Sequence, residues 1–320
     1  MIPAPRTVYE GVARLPAGHY ALMEDGKLTV ERWWNPVFVE DAVADFDELR
    51  GEFNRLLRES VMRLLDGRST GCFLSGGTDS STVAGIVTEL SGVPARTFSI
   101  GFDAKGYDEM EYARITARHF GTDHHEFYVR PDDVVTSIES LAASYDQPFG
   151  NSSVLPAYYC AKMARESGVE LMLAGDGGDE LFGGNTRYAK QRIFEAYGHI
   201  PQPLRHGVLE PLFSQSPTLK RWPVSRKVAS YVEQASVPMP ARMEMYNLLM
   251  RIGVGELFTP EFLATVDTGE PARQQRDTYE ASRAGALINR MLAYDWKYTL
   301  ADNDLPKVLG AAAQPQVPVA

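Results

Sequence analysis

The chain carries only 2 cysteines in 320 residues, Cys72 and Cys160, which excludes a disulfide scaffold and any all-cysteine zinc site. Basic residues are the minority: 32 Lys and Arg stand against 42 Asp and Glu, a formal net charge of −10. That balance argues against binding that relies on broad phosphate neutralisation, so nucleic acid is not an expected partner. The opening MIPAPRTVYE lacks the basic-then-apolar order of a secretion signal, and no apolar run has the length of a bilayer span. A cytoplasmic protein with no membrane partner is expected. No internal repeat is visible. What is present is globular in character: 44% hydrophobic residues, with 10% aromatics, can build a core. The length suits one large domain or two ordinary ones.

Residues 1–36 read as short extended pieces. HYALM and KLTVERW flank an Asp25-Gly26 hairpin signal. Two strands cannot bury a core alone, so this hairpin must lean on something else. From Phe46 to Leu65 apolar residues recur at helical spacing (Phe46, Leu49, Phe53, Leu56, Leu57, Val61, Leu64, Leu65). Strands and helices then alternate: TGCFL, a helix from Ser80 to Leu90, ARTFSIGF, a helix from Tyr107 to Phe120, HHEFYV, a helix from Asp132 to Ala143, a helix from Ala157 to Glu166, and VELMLA. Alternation of this kind predicts an α/β fold with a mostly parallel, doubly wound sheet. Beyond Arg187 the strand signal disappears and a helical remainder is expected. The expected domains are 1–36, 37–200, 201–308 and a disordered tail over 309–320, whose GAAAQPQVPVA shows no charge and no periodic apolar face.

Two loops carry the chemistry. Ser75-Gly76-Gly77-Thr78-Asp79-Ser80-Ser81 follows the strand GCFL and opens the next helix. Glycines let an anion approach the backbone, and a helix start offers unpaired N–H groups and a positive dipole end. Ser75, Ser80 and Ser81 add hydroxyl donors, so the loop suits phosphates. It has neither the lysine of G-x-x-x-x-G-K-[ST] nor the pattern G-x-G-x-x-G. Asp79 repels a bare phosphate and makes sense if Mg²⁺ lies between them. A simple Gly-Gly turn with Asp79 and Ser80 capping the helix fits the same letters.

VELMLA runs into Gly175-Asp176-Gly177-Gly178-Asp179-Glu180-Leu181-Phe182-Gly183-Gly184, with five glycines and three acids in ten residues. It sits where open α/β sheets place their ligands, at the carboxyl end of a strand. Clustered carboxylates repel unless a cation is present, so Asp79 and Asp179 could jointly hold Mg²⁺. A surface acidic turn is the alternative.

The pairing of the two loops resembles the synthetase domain of glutamine-hydrolysing asparagine synthetases, in the ATP-pyrophosphatase group. Its signature S-G-G-x-D-S is Ser75 to Ser80, and its S/A-G-[ED]-G-[SG]-D-E-x-F-G-G is Ala174 to Gly184. TFSIGF, His124 to Glu126, YDQPFGNSS and ADNDLPKV also look like the family, as does LPAGHYALMEDGKLTVERWWNP, which resembles the end of a glutaminase domain. The resemblance implies an adenine nucleotide alpha hydrolase-like sheet and the substrates ATP, aspartate and ammonia, with Mg²⁺. Ammonia would come free or from a glutaminase domain, and a homodimer is left open. It further implies that Leu74, Ile100, Ala174 and Gly175 line the nucleotide site. Ser75, Gly76, Gly77, Asp79, Ser80 and Ser81 would hold the phosphates, Asp79 and Asp179 the metal, and Asp176 would act in forming β-aspartyl-AMP.

Two departures stand out. The family's glutaminase uses an amino-terminal cysteine, whereas this chain begins Met1-Ile2, so glutamine hydrolysis in that manner is not expected. After D-N-D-L-P-K the family continues through E-x-R-x-P-F-L-D to a lysine that contacts the reacting phosphates; here LGAAAQPQVPVA follows. The sequence thus reads as truncated, with charge neutralisation left to Mg²⁺ and N–H groups, weak Mg·ATP binding and little synthetase activity. A related amidotransferase acting on another carboxylate, or a non-catalytic ATP-binding fragment, remains an alternative. His119, His124 and His125 are expected to be structural, and Cys72 and Cys160 inert buried thiols. Arg187, Lys190 and Arg192 fit either substrate contact or the polar face of a helix.

Overall fold

The computed structural model describes residues 1–40, 44–102, 109–215, 223–245 and 247–320. Strands β1 (His19–Glu24) and β2 (Lys27–Arg32) pair antiparallel. Asp25 and Gly26 join them with φ of 49° and 77°, the positive values that a twisted hairpin turn demands. The hairpin leans on the rest of its unit through Trp34, which stacks on Trp296 at 5.4 Å.

Next come α1 (Phe46–Leu64), β3 (Thr70–Phe73), α2 (Thr78–Ser91), β4 (Arg96–Phe102) and α3 (Met110–Phe120). They are followed by β5 (Asp123–Val129), α4 (Pro131–Ala143), α5 (Val154–Glu166), β6 (Leu171–Leu173) and α6 (Gly178–Phe182). Tyr107, where the third helix was expected to start, lies outside the described residues. β3 to β6 form one parallel sheet in the order β5-β4-β3-β6. Side-chain alternation gives it two buried faces. Cys72, Leu74, Leu171 and Leu173 pack with Val61, Ala84, Val87 and Ala113 from α1, α2 and α3. Phe98 and Met172, which the register places opposite Phe73 and Gly71 on the other face, pack with Cys160 and Ala164 of α5. The expected α/β architecture with both faces covered is therefore present.

The chain divides into two compact units: Met1–Asn35, Asp41–Leu181 and Asp295–Ala320 form one, Pro36–Glu40 and Phe182–Tyr294 the other. The second unit is helical, with Thr186–Gly198 and Pro223–Ser236 among its helices. Its core includes Phe194, Tyr197, Val232 and Ala235, and the Glu40 carboxylate accepts bonds from Gly285 N and Ala286 N, each at 2.9 Å.

The tail over 309–320 is not disordered, and this corrects the sequence expectation. Leu305–Ala313 is a helix whose Ala311 and Ala312 are 0% and 2% exposed. Val317 is buried, and Val319 lies parallel beside Met172 at the β6 edge. Met172 N donates to Pro318 O at 2.9 Å, and Ala174 N to Ala320 O at 3.0 Å. The missing apolar periodicity was misleading because alanine and glycine permit close packing without large side chains.

Candidate functional site

The two loops meet at the carboxyl end of the sheet. Leu74, buried, continues β3 by donating its N–H to Phe98 O at 3.0 Å. Phe73 pairs in register with Phe98, which sets Ile100 of β4 level with Ser75. Cys72 pairs with Leu173, which sets Ala174 and Gly175 level with Phe73 and Leu74. Gly76 turns the chain with φ 83°, and a Cβ there would overlap the backbone of Tyr112 and Ala113 at 2.5 Å.

Gly77 is the residue before the first turn of α2, and no side chain caps that helix start. Its first N–H groups are thus not satisfied by a capping side chain and face the loop. Around them, Ser75 Oγ lies 3.1 Å from Ser80 Oγ and accepts from Gly77 N at 3.2 Å. Ser80 Oγ also accepts from Ser75 N at 3.3 Å. The structure brings these hydroxyls together but separates Ser81, whose Oγ lies 2.9 Å from Thr116 Oγ1 of α3.

The second loop is locked against the first by glycine. A Cβ on Gly175 would lie 2.9 Å from Ser80 N, and one on Gly178 would overlap the Asp79 carboxyl group. Asp79 is consequently held above the ordinary carboxylate range by burial, and further by the charges of Asp179 and Asp176. Among the described residues no cation pairs with Asp79 or Asp179, and no group of three or more His, Cys, Asp and Glu could by itself hold a metal. The site thus presents two unneutralised carboxylates beside phosphate-type donors. Mg²⁺ suits such a place, because it takes one or two carboxylates and completes its shell with substrate phosphates and water. Glu180 is buried and also held upward, by desolvation first and then by Asp304, Asp295 and Asp179.

Asp176 has a partner that sequence reasoning missed. Lys307 Nζ lies 2.9 Å from Asp176 Oδ1 and 3.3 Å from Asp304 Oδ1. Burial opposes the charge on Lys307, but the Asp176 and Asp304 carboxylates outweigh it and hold the ammonium above its usual range. Lys307 thus balances the charge of Asp176 and Asp304. The one signal in the sequence is the family-like stretch ADNDLPKV, which contains Lys307.

The histidines and cysteines lie among packing contacts outside the two loops. His124 Nδ1 lies 2.9 Å from Thr97 Oγ1, and His125 stacks on Phe98 at 4.9 Å. His119 meets Phe120 edge-on at 4.7 Å. Burial pushes the Cys72 thiol up to about 12, and Cys160 shifts the same way. Arg187, Lys190 and Arg192 belong to the second unit. No helix among the described residues is long and apolar enough to cross a membrane.

A family model described as asparagine synthase matches residues 52–314. A putative glutamine-hydrolysing asparagine synthetase 2 of Methanocaldococcus jannaschii is 35% identical over 209 residues, 64% of this chain and 40% of the relative. The glutamine-hydrolysing asparagine synthetase 1 of Bacillus subtilis is 28% identical over 210 residues, 65% of this chain and 33% of its own. The chain thus spans less than half the length of these relatives. Among solved structures, NMN synthetase from Francisella tularensis aligns with a TM-score of 0.31 at 14% identity, over 66% of this chain and 97% of that one. That similarity is too slight to bear on the fold.

Proposed function

The chain belongs to the asparagine synthase family, and we propose that it adenylylates the side-chain carboxylate of aspartate and passes the product to ammonia. The aspartate oxygen attacks the α-phosphorus of ATP and pyrophosphate leaves. Ammonia then attacks the acyl carbon, AMP leaves, and an amide remains. The observation that carries this reading is the contact between the loops, which seats Asp79 against Gly178 at the uncapped start of α2.

In this reading the N–H groups at the start of α2 and the hydroxyls of Ser75 and Ser80 bind the departing β- and γ-phosphates. Donors fixed in advance around developing negative charge are the principal catalytic device. Leu74, Ile100, Ala174 and Gly175 line the nucleotide, largely through backbone. Asp79 and Asp179 would hold Mg²⁺, which when bound supplies a Lewis acid and a template for the phosphates. Asp176 stands beside the reacting carboxylate, and its charge is balanced by Lys307.

ATP–pyrophosphate exchange tests the reading. Aspartate-stimulated exchange supports it; exchange indifferent to aspartate points to another carboxylate, and ATP binding without exchange to a non-catalytic module. An ammonia supply from a glutaminase domain, a homodimer and a cytoplasmic location belong to the same proposal.

A further inference from the structure

We propose that Lys307, held in place by Tyr145, is the positioning residue for Asp176. The proposal rests on the adenylylating reading above. The turn Ala174–Gly177 is rich in glycine, and Gly177 has a φ of 102°. The close contacts at Gly175 and Gly178 hold its backbone, but an Asp176 side chain that must meet substrate in one orientation needs a restraint of its own. The restraint comes from 131 residues further along the chain. Lys307 Nζ ties Asp176 Oδ1 to Asp304 Oδ1, with side chains 16%, 23% and 24% exposed. A short, charge-assisted and largely enclosed contact of this kind fixes geometry better than an exposed pair.

Lys307 is itself anchored. Tyr145 Oη donates to the Lys307 carbonyl at 2.8 Å. Burial pushes that phenol up to about 12, so it stays a neutral donor. The Tyr145 ring stacks on Phe149 at 4.8 Å, with 1° between the planes. The ring also lies against Gly310, about one helical turn beyond Lys307, where any Cβ would overlap it. Helix Leu305–Ala313 follows directly on the π-helical segment Trp296–Asp304, and Pro306 and Lys307 lie in its first turn. The same C-terminal segment supports the loop from below: Trp296 Nε1 donates to Glu180 O at 2.7 Å, and Leu300 lies beneath Gly177. Tyr145 and Phe149 come from YDQPFGNSS and Lys307 from ADNDLPKV. Two sequence stretches without an assigned role thus form one support, running from Tyr145 through Lys307 to Asp176.

The test is aspartate-stimulated ATP–pyrophosphate exchange by the full chain, with circular dichroism and thermal melts as checks on folding. K307M should lower kcat by about 30-fold while leaving the KM for Mg·ATP within about threefold, because the loss falls on orientation rather than binding. K307R should recover roughly tenfold over K307M. Y145F should cost about three- to tenfold in kcat. Because Lys307 acts through Asp176, D176N/K307M should be no slower than D176N alone, within about threefold. Unchanged kcat in folded K307M overturns the proposal, as does a double variant whose loss is the product of the single ones. Wild-type chain that shows no aspartate-stimulated exchange overturns the reaction itself and the role with it. Wild-type exchange with unaffected K307M overturns only the role of Lys307.

Discussion

Gly178 lies so close to the carboxyl group of Asp79 that no side chain fits between them. The contact joins the ends of two parallel strands into one site. It also deprives Asp79 of water, and with Asp179 and Asp176 nearby its charge is disfavoured.

Replacing Asp79 by Asn should therefore separate stability from function. Without metal or nucleotide, D79N should melt roughly 1–3 °C higher, since a repelled carboxylate has been removed. The sign follows from the upward shift: the charged form is the costly one, so the penalty grows as pH rises. In the presence of Mg·ATP the stabilisation seen for the wild type should vanish. Differential scanning fluorimetry with and without Mg·ATP reads both effects.

Gly76 sits at positive φ with its α-hydrogen directed at the backbone of Tyr112 and Ala113. Gly76→Ala combines backbone strain with a clash against main chain that cannot move aside. It should cost about 2–4 kcal/mol in urea unfolding and abolish nucleotide binding. Gly92→Ala is a useful contrast, because its φ of 68° brings strain but nothing lies within 4 Å of the new methyl. Its cost should stay near 1 kcal/mol.

The tail offers a direct check on the β6 edge. Val317 is 3% exposed and packs with Phe98, Cys160 and Met172. Val317→Asp buries a carboxylate without a partner and should cost about 3 kcal/mol or more. A frayed tail would tolerate the change within about 0.5 kcal/mol. Urea unfolding separates the two.

His124 gives a pH dependence. Burial holds its imidazole below the ordinary range, Glu126 opposes that, and His125 and Arg114 add to it. The neutral ring thus stabilises the fold above about pH 6.5, and the contribution is lost as pH falls through the lower folded-state value. Asp79, Glu180 and Asp302 are shifted upward and work in the opposite sense, so only a difference isolates His124. Melting temperatures at pH 7, 6 and 5 should fall less steeply for His124→Gln than for the wild type.

The features legible in the sequence were those whose physics is local. Asp25-Gly26 announces its hairpin because few residues accept positive φ in succession. The two loops announce themselves because close backbone approach demands glycine at Gly76, Gly175 and Gly178. What was not legible depends on distance along the chain or on small residues. Lys307 reaches Asp176 only after the chain has passed through a second unit. Ala311 and Val317 look featureless in a window, yet pack tightly against α5 and the sheet. Ser81 matches the phosphate pattern by letter, but its position on α2 turns it toward Thr116.

The meeting of Asp79 and Gly178 is proposed to mark an adenylylating site for aspartate. Exchange of labelled pyrophosphate into ATP by the purified chain, with and without aspartate, tests it most directly. Mg²⁺-dependent exchange that rises with aspartate, and that D176N lowers sharply but leaves measurable, is the expected result. Mg·ATP binding without exchange, or exchange that aspartate leaves unchanged, contradicts it.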